Sequence, residues 1–193
     1  MKEESGLQEL VKFFHLAGNL KNEKRRGWVD RGVKEAESVA DHSFRLALMA
    51  MVFAERQKLD ACKAVKMAIV HDLPEAICGD IATRIKEELQ QIPNKEKQER
   101  EEKAMQEMLL HLDGKIKEEA RKLWGEFNAR KTKEARLVYE LDRLEAIFQA
   151  VEYEKKGNFK VSLQEFFDYM NGRLRDKELI QVFELLMGER GKK

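Results

Sequence analysis

The sequence predicts an all-α fold, organised as a single domain over residues 1–193. Three observations lead there. Strand signals are nearly absent, because no run of alternating β-branched residues is bounded by turn chemistry. Apolar residues recur instead at helical spacing along almost the whole chain. Pro is scarce, with two in all, and no linker is long enough to separate domains.

Taken in order, a first helix spans about 5–20, with Leu7, Leu10, Val11, Phe14 and Leu16 on its apolar side. Residues 20–37, rich in charge and Gly, read as a loop. Ser38 caps the next helix, over 38–57, which is apolar almost all round from Phe44 to Ala54 and therefore belongs at the centre. Asp60 caps a further helix that Pro74 ends. The PEAICGD segment makes one helical turn closed by Gly79. After Pro93 a charged helix over 94–112 presents a solvated face, and another over 113–127 packs through Trp124. A long helix over 132–156 stops at Gly157, a natural C′ residue. Ser162 with Glu165 forms a capping box for 162–170, and a last helix starts near Asp176.

Composition narrows the function. Lys and Arg number 37 against 36 Asp and Glu, a net charge of +1, which argues against a dedicated nucleic-acid binder. A local basic pocket remains open, since net charge says nothing about local fields. No apolar run reaches the ~20 residues of a membrane span, and the acidic start is not a secretory signal. Cys62 and Cys78 cannot form a disulfide framework and read as small core residues. The expectation is a cytoplasmic protein that binds neither nucleic acid nor membrane.

Chemistry enters through polar residues on apolar faces. Val39, His42, Leu46, Met49 and Phe53 share one stripe, so His42 points inward. In the next helix Ala64, Met67 and Ala68 lead to His71, and Val65 and Ile69 lead to Asp72. Glu75 follows His71 by one turn, and Asp80 comes just after Gly79. Along the long helix, Asp142 and Glu145 flank the face of Leu137, Leu141, Leu144, Phe148 and Val151. Any one of these has an ordinary reading as a core histidine or a surface acid. Two imidazoles and two carboxylates from three helices together suit one divalent transition metal, Mn, Fe, Co, Ni or Zn, with Mg possible, better than Ca. No zincin HExxH, GxSxG elbow or P-loop competes.

That ordered set, His42, then His71–Asp72, then Asp142, resembles the signature of the HD-domain metal-dependent phosphohydrolases. The segments ESVADHS, HDLPEAICGDIAT and YELDRLEA resemble their 5′-deoxynucleotidase branch, which includes archaeal oxetanocin-like proteins. The resemblance spans about 7–185 and implies a homodimer that hydrolyses 2′-deoxynucleoside 5′-monophosphates. It implies His42, His71, Asp72 and Asp142 as metal ligands, Glu75 as the acid handling the water proton and Asp80 as an acid near the sugar. Thr83 ends that substrate-contacting segment. It also implies an Arg that orients the phosphate and a Trp that crowds the 2′ position. Bacterial members carry these as neighbours, whereas this chain has Arg25, Arg26, Gly27 and Trp28. Either Arg fits that role, and Trp28 also reads as a loop anchor. Glu145 has no clear place in the family pattern and reads as a structural or supporting acid, while His15 and His111 read as ordinary helix residues. Relatives acting on phosphodiesters, triphosphates or alarmones share the metal set, and a non-catalytic nucleotide sensor is a rival from another class.

Overall fold

Local chemistry at the helix starts sets much of the architecture. In the computed structural model, which describes residues 2–82 and 91–190, the helices are α1 (Lys2–Gly18), α2 (Arg26–Val29), α3 (Val39–Arg56), α4 (Ala61–Val70) and α5 (Glu75–Cys78). They continue with α6 (Asn94–Leu110), α7 (Gly114–Ala129), α8 (Lys133–Lys156), α9 (Gln164–Met170) and α10 (Lys177–Glu189). Among the described residues there is no strand, only an isolated antiparallel bridge between Lys24 and Ser38. None of these helices is long and apolar enough to cross a membrane.

Four starts are closed by side chains. Ser38 and Asp41 form a reciprocal capping box on α3. Asp60 accepts the Lys63 amide at 2.9 Å, Thr132 accepts the Ala135 amide at 3.3 Å, and Asp176 accepts those of Glu178 and Leu179. At the other end of α8, Gly157 takes φ +65°, a left-handed conformation that costs glycine little.

Helix α3 packs on α4 and α8, and α4 also packs on α7 and α8, so these three surround the main core. Met67, Leu46, Leu141 and Leu144 are fully buried there. A second cluster, with Met105, Met108 and Leu109 of α6, packs beside Leu10 and Phe13 of α1 and Trp124 of α7.

Several expectations are corrected. The segment over 20–37 is not all loop: a 3₁₀ turn at Asn19–Lys21 follows α1, and α2 adds one helical turn. Helix α3 is central, yet it is not buried all round. It buries Val39, His42, Leu46, Ala50 and Ala54, while Phe44, Leu48, Met51 and Val52 stand exposed. Cys62 is exposed rather than in the core, because its helix turns that face outward. The Ser162–Glu165 box does not close. Ser162 Oγ accepts only the Gln164 amide, and Glu165 pairs with Arg31 instead.

Asp176 stands at a helix start away from the residues singled out as a site. Asp176→Ala should cost about 1 kcal/mol of stability, lowering Tm by about 2–4 °C for a chain of this size, as read by thermal unfolding.

Candidate metal centre

Two imidazoles reach one buried point from different helices. His42 lies one turn into α3, on the line of Leu46, Ala50 and Ala54, and is fully buried. His71 ends α4, also buried, and the turn toward Pro74 that follows carries Asp72 beside it. His71 Nδ1 lies 2.8 Å from the Ala68 carbonyl. A carbonyl only accepts, so Nδ1 holds the proton and the lone pair is on Nε2. His42 Nδ1 is hydrogen-bonded to Glu145 Oε2, which leaves its Nε2 directed the same way.

Both Nε2 atoms are buried, and neither has a hydrogen-bond partner among the described residues. His42 Nε2 is 3.1 Å from Asp142 Oδ1 and 4.0 Å from Asp72 Oδ2, while His71 Nε2 is 3.0 Å from Asp72 Oδ2 and 3.9 Å from Asp142 Oδ1. The close approaches are out of line for hydrogen bonds, and buried polar atoms are rarely left so. Donors held about 2.1 Å from one cation lie about 3 Å apart when adjacent and about 4.2 Å apart when opposite. These four imidazole–carboxylate separations fall in that window. The His42, His71 and Asp72 donor atoms all lie within 4.8 Å of one another and fit one divalent cation, with Asp142 Oδ1 beside both imidazoles at its edge.

Electrostatics agree. Burial opposes ionisation of Asp72, yet His71, Arg25 and His42 hold its pKa far below the usual carboxylate range. Burial likewise opposes Asp142, and His42 and His71 lower it. For His42, burial and Arg25 disfavour charge, but Glu145 and Asp142 prevail and push its pKa up to about 10. The carboxylates thus favour positive charge at their centre, which a divalent cation meets while the imidazoles stay neutral. Glu37, His42 and Glu145 also bring donor atoms close together. That group does not suit a cation, since Glu145 and His42 Nδ1 already occupy each other in a hydrogen bond.

Around this centre the structure sorts the remaining candidates. Glu75 opens α5 and is buried, and its Oε2 has no hydrogen-bond partner among the described residues. Burial, then Asp72 and Asp80, push its pKa well above the usual carboxylate range. Gly79, at φ +76°, turns the chain so that Asp80 meets the loop, where its Oδ2 accepts the Arg26 amide at 2.7 Å. Arg25 lies over the donor set, with Nη1 3.1 Å from Asp72 Oδ2 and Nη2 3.9 Å from Asp142 Oδ1. The Arg26 guanidinium turns outward to Asp30 at 2.8 Å, so only its amide reaches the site. Trp28 is no surface anchor: it is 2% exposed, belongs to the core and donates through Nε1 to Glu37 at 2.8 Å. Thr83 lies outside the described residues.

Arg25, His71, Asp72, Glu75, Asp80 and Asp142 line a cavity of about 370 Å³. Its opposite wall is aromatic and cationic. Trp28 stacks on Phe166 with centroids 4.2 Å apart, and Arg143 lies 3.9 Å over the Tyr139 ring and 5.2 Å from that of Tyr169. Gly27 lies under this wall, where an added Cβ would come within 3.2 Å of Phe166 Cζ. Helix α6, read from sequence as carrying a solvated polar face, also reaches the cavity. Lys97 Nζ donates to the Ile81 carbonyl at 2.7 Å and pairs with Glu101 at 3.5 Å, and both side chains line the space beside Glu75.

The whole of this site sits within residues 17–181, which match the sequence profile of the HD domain family. The chain belongs to the HD domain family. A human protein named 5′-deoxynucleotidase HDDC2 is 39% identical over 185 residues, covering 96% of this chain and 88% of that one. A conserved hypothetical protein of known structure from Pyrococcus furiosus is 35% identical with a TM-score of 0.72, covering 92% of this chain and 99% of that one. A structure from Magnetospirillum magnetotacticum, described as a predicted metal-dependent phosphohydrolase, is 26% identical with a TM-score of 0.72, over 97% of this chain and 93% of that one.

Within this HD domain, Tyr139, Arg143, Phe166 and Tyr169 of the cavity lining escaped the sequence reading. Tyr139 and Arg143 stand one helical turn apart, a spacing that presents a guanidinium to a ring. Phe166 and Tyr169 come from α9 and reach the wall only through tertiary packing. Adding Mn²⁺ or Co²⁺ should raise Tm, and Asp142→Asn should abolish most of that gain, as read by thermal shift with and without a chelator.

Proposed function

We propose that the chain is a cytoplasmic, metal-dependent 5′-deoxynucleotidase, releasing phosphate from 2′-deoxynucleoside 5′-monophosphates. One observation carries the reading: Glu75, a buried carboxyl with an oxygen unpartnered among the described residues, lines the same cavity as His71, Asp72 and Asp142. A relative 39% identical over nearly the whole chain bears a 5′-deoxynucleotidase name, which supports the same substrate class. The cavity, about 370 Å³, falls within the range of about 300–1,000 Å³ typical of small-molecule sites.

In this reading His42, His71, Asp72 and Asp142 hold one divalent cation. Such a cation supplies positive charge that neutralises the phosphoryl oxygens and acidifies water. Arg25, rather than Arg26, meets the phosphate, because its guanidinium faces the cavity and can engage two oxygens at once. Glu75 takes the proton of the attacking water at Oε2, a step worth roughly 10²–10⁴-fold in rate. Burial and the flanking acids raise its pKa, which makes the ionised carboxylate a stronger proton acceptor. As the water oxygen bonds to phosphorus, the ester P–O bond breaks and the 5′-oxygen leaves with the deoxynucleoside, becoming its hydroxyl by taking a proton from solvent. Phosphoryl transfer needs this positioning more than covalent help from the chain. Asp80, held by the Arg26 amide, faces the sugar, and Thr83 completes that segment. Trp28, fixed by Glu37 and Phe166, narrows the cavity where a 2′-hydroxyl would fall. The base lies against Tyr139, Phe166 and Tyr169, where any π-face stacks without base-specific hydrogen bonds.

We further propose a homodimer formed through α3. Phe44, Leu48, Met51 and Val52 recur at helical spacing and are 45–68% exposed, a contiguous apolar stripe of the kind that marks an interface.

A phosphate-release screen over all deoxy- and ribonucleoside monophosphates, with Mn²⁺, Co²⁺, Mg²⁺ and Zn²⁺, tests the main reading. Release from deoxynucleotides at least tenfold faster than from their ribose counterparts is expected. Equal rates, or preferential cleavage of bis-p-nitrophenyl phosphate, would overturn it. Glu75→Gln should lower kcat by at least 10²-fold while elemental analysis finds unchanged metal content. Light scattering should give a dimer mass that Phe44→Glu converts to a monomer mass.

A further inference from the structure

Glu145 is a costly residue where it stands. It is fully buried on α8, and a carboxylate taken from water needs full compensation. Burial opposes its ionisation, yet His42 and Arg45 keep its pKa below the ordinary carboxylate value. Each of its oxygens has a separate partner. Oε2 meets His42 Nδ1, and Oε1 accepts from Arg45 Nε at 2.7 Å. Arg45 is itself clamped, donating through Nη2 to Gln149 at 2.7 Å and through Nη1 to Glu152 at 2.8 Å.

The register explains how this chain of contacts is built. His42 and Arg45 are three residues apart on α3, so both face α8. Asp142, Glu145, Gln149 and Glu152 follow one another at steps of three and four along α8 and face back. One face of α8 therefore supplies both a candidate metal ligand, Asp142, and the acid behind another, His42. The two imidazoles differ in this respect: His71 donates to a neutral backbone carbonyl, whereas His42 donates to a carboxylate. A carboxylate behind an imidazole fixes its tautomer and strengthens its free nitrogen as a donor.

We infer that Glu145 is a positioning residue for the metal centre: held by Arg45, it orients His42 and raises its affinity for the cation without touching substrate. The inference rests on the metal-centre reading above and adds to it a residue that serves the centre through His42. A purely structural link between α3 and α8 would not affect how tightly a cation binds to the folded chain.

The test is calorimetric titration of the full chain with Co²⁺ alone, at constant pH, with folding checked by circular dichroism. Glu145→Gln should weaken Co²⁺ binding about 10–100-fold, and Arg45→Met should weaken it by less. Glu145→Asp, which keeps the carboxylate, should recover part of the loss. At saturating Co²⁺, kcat for phosphate release should recover more fully than the affinity does. Unchanged Co²⁺ affinity in a folded Glu145→Gln protein overturns the role assigned to Glu145. If that variant does not fold, unchanged affinity in Arg45→Met overturns it instead. Failure of the unaltered chain to bind Co²⁺ would instead sink the metal-centre reading, and this inference with it.

Discussion

Unbalanced charge in a dry place is the constraint on which the rest of this structure depends. Asp72 and Asp142 converge with two imidazoles at a point walled by α3, α4 and α8, and the inward imidazole nitrogens have no hydrogen-bond partner among the described residues. Removing such groups from water costs several kcal/mol each unless something compensates them. The surroundings are arranged to do so. Arg25 comes in from the loop, the Ala68 carbonyl and Glu145 fix the outer nitrogens of the rings, and the remaining compensation falls to a cation. Metal binding and packing of the three helices are therefore thermodynamically linked: a cation that binds only the assembled centre stabilises the fold by the same free energy.

What could be read from the sequence follows the range of each interaction. Caps at Ser38, Asp60 and Asp176 are settled within three residues, so their chemistry is visible in the string of letters. His42, His71, Asp72 and Asp142 were visible because each breaks an apolar stripe, and the structure brings them together. The misses come from partners distant in sequence. Periodicity reports that α3 is apolar around Phe44 but not what covers that face, and none of the described residues does. The Ser162–Glu165 box fails because Arg31 competes for the acid. Lys97 and Glu101 look like ordinary members of a charged helix until α6 is packed against α5. Glu145 gave a faint signal, three residues past Asp142 on a neighbouring apolar face, but its partner Arg45 lies a hundred positions earlier.

A net charge of +1 hides a pronounced internal organisation. Acids gather around the centre from the turn after α4 and from α5, α6 and α8, and Arg25, Arg45 and Lys97 are threaded among them. Each of the three cations has its pKa raised because the acids around it prevail over the burial that opposes it. The site is electrostatically dense, and these cations reduce the negative field that a dianionic phosphate meets on approach.

Gly27 gives the loop a second meaning. The Phe166 ring presses against the bare backbone there, at a distance that a single methyl group would contest. The width of the cavity is thus set jointly, by the smallest residue of one segment and an aromatic one from another. A change at either position resizes the chamber through the other, so the two should vary as a matched pair in descendants of this chain. Selectivity for the molecule inside would then be inherited through the packing behind the Phe166 ring as well as through the face it offers.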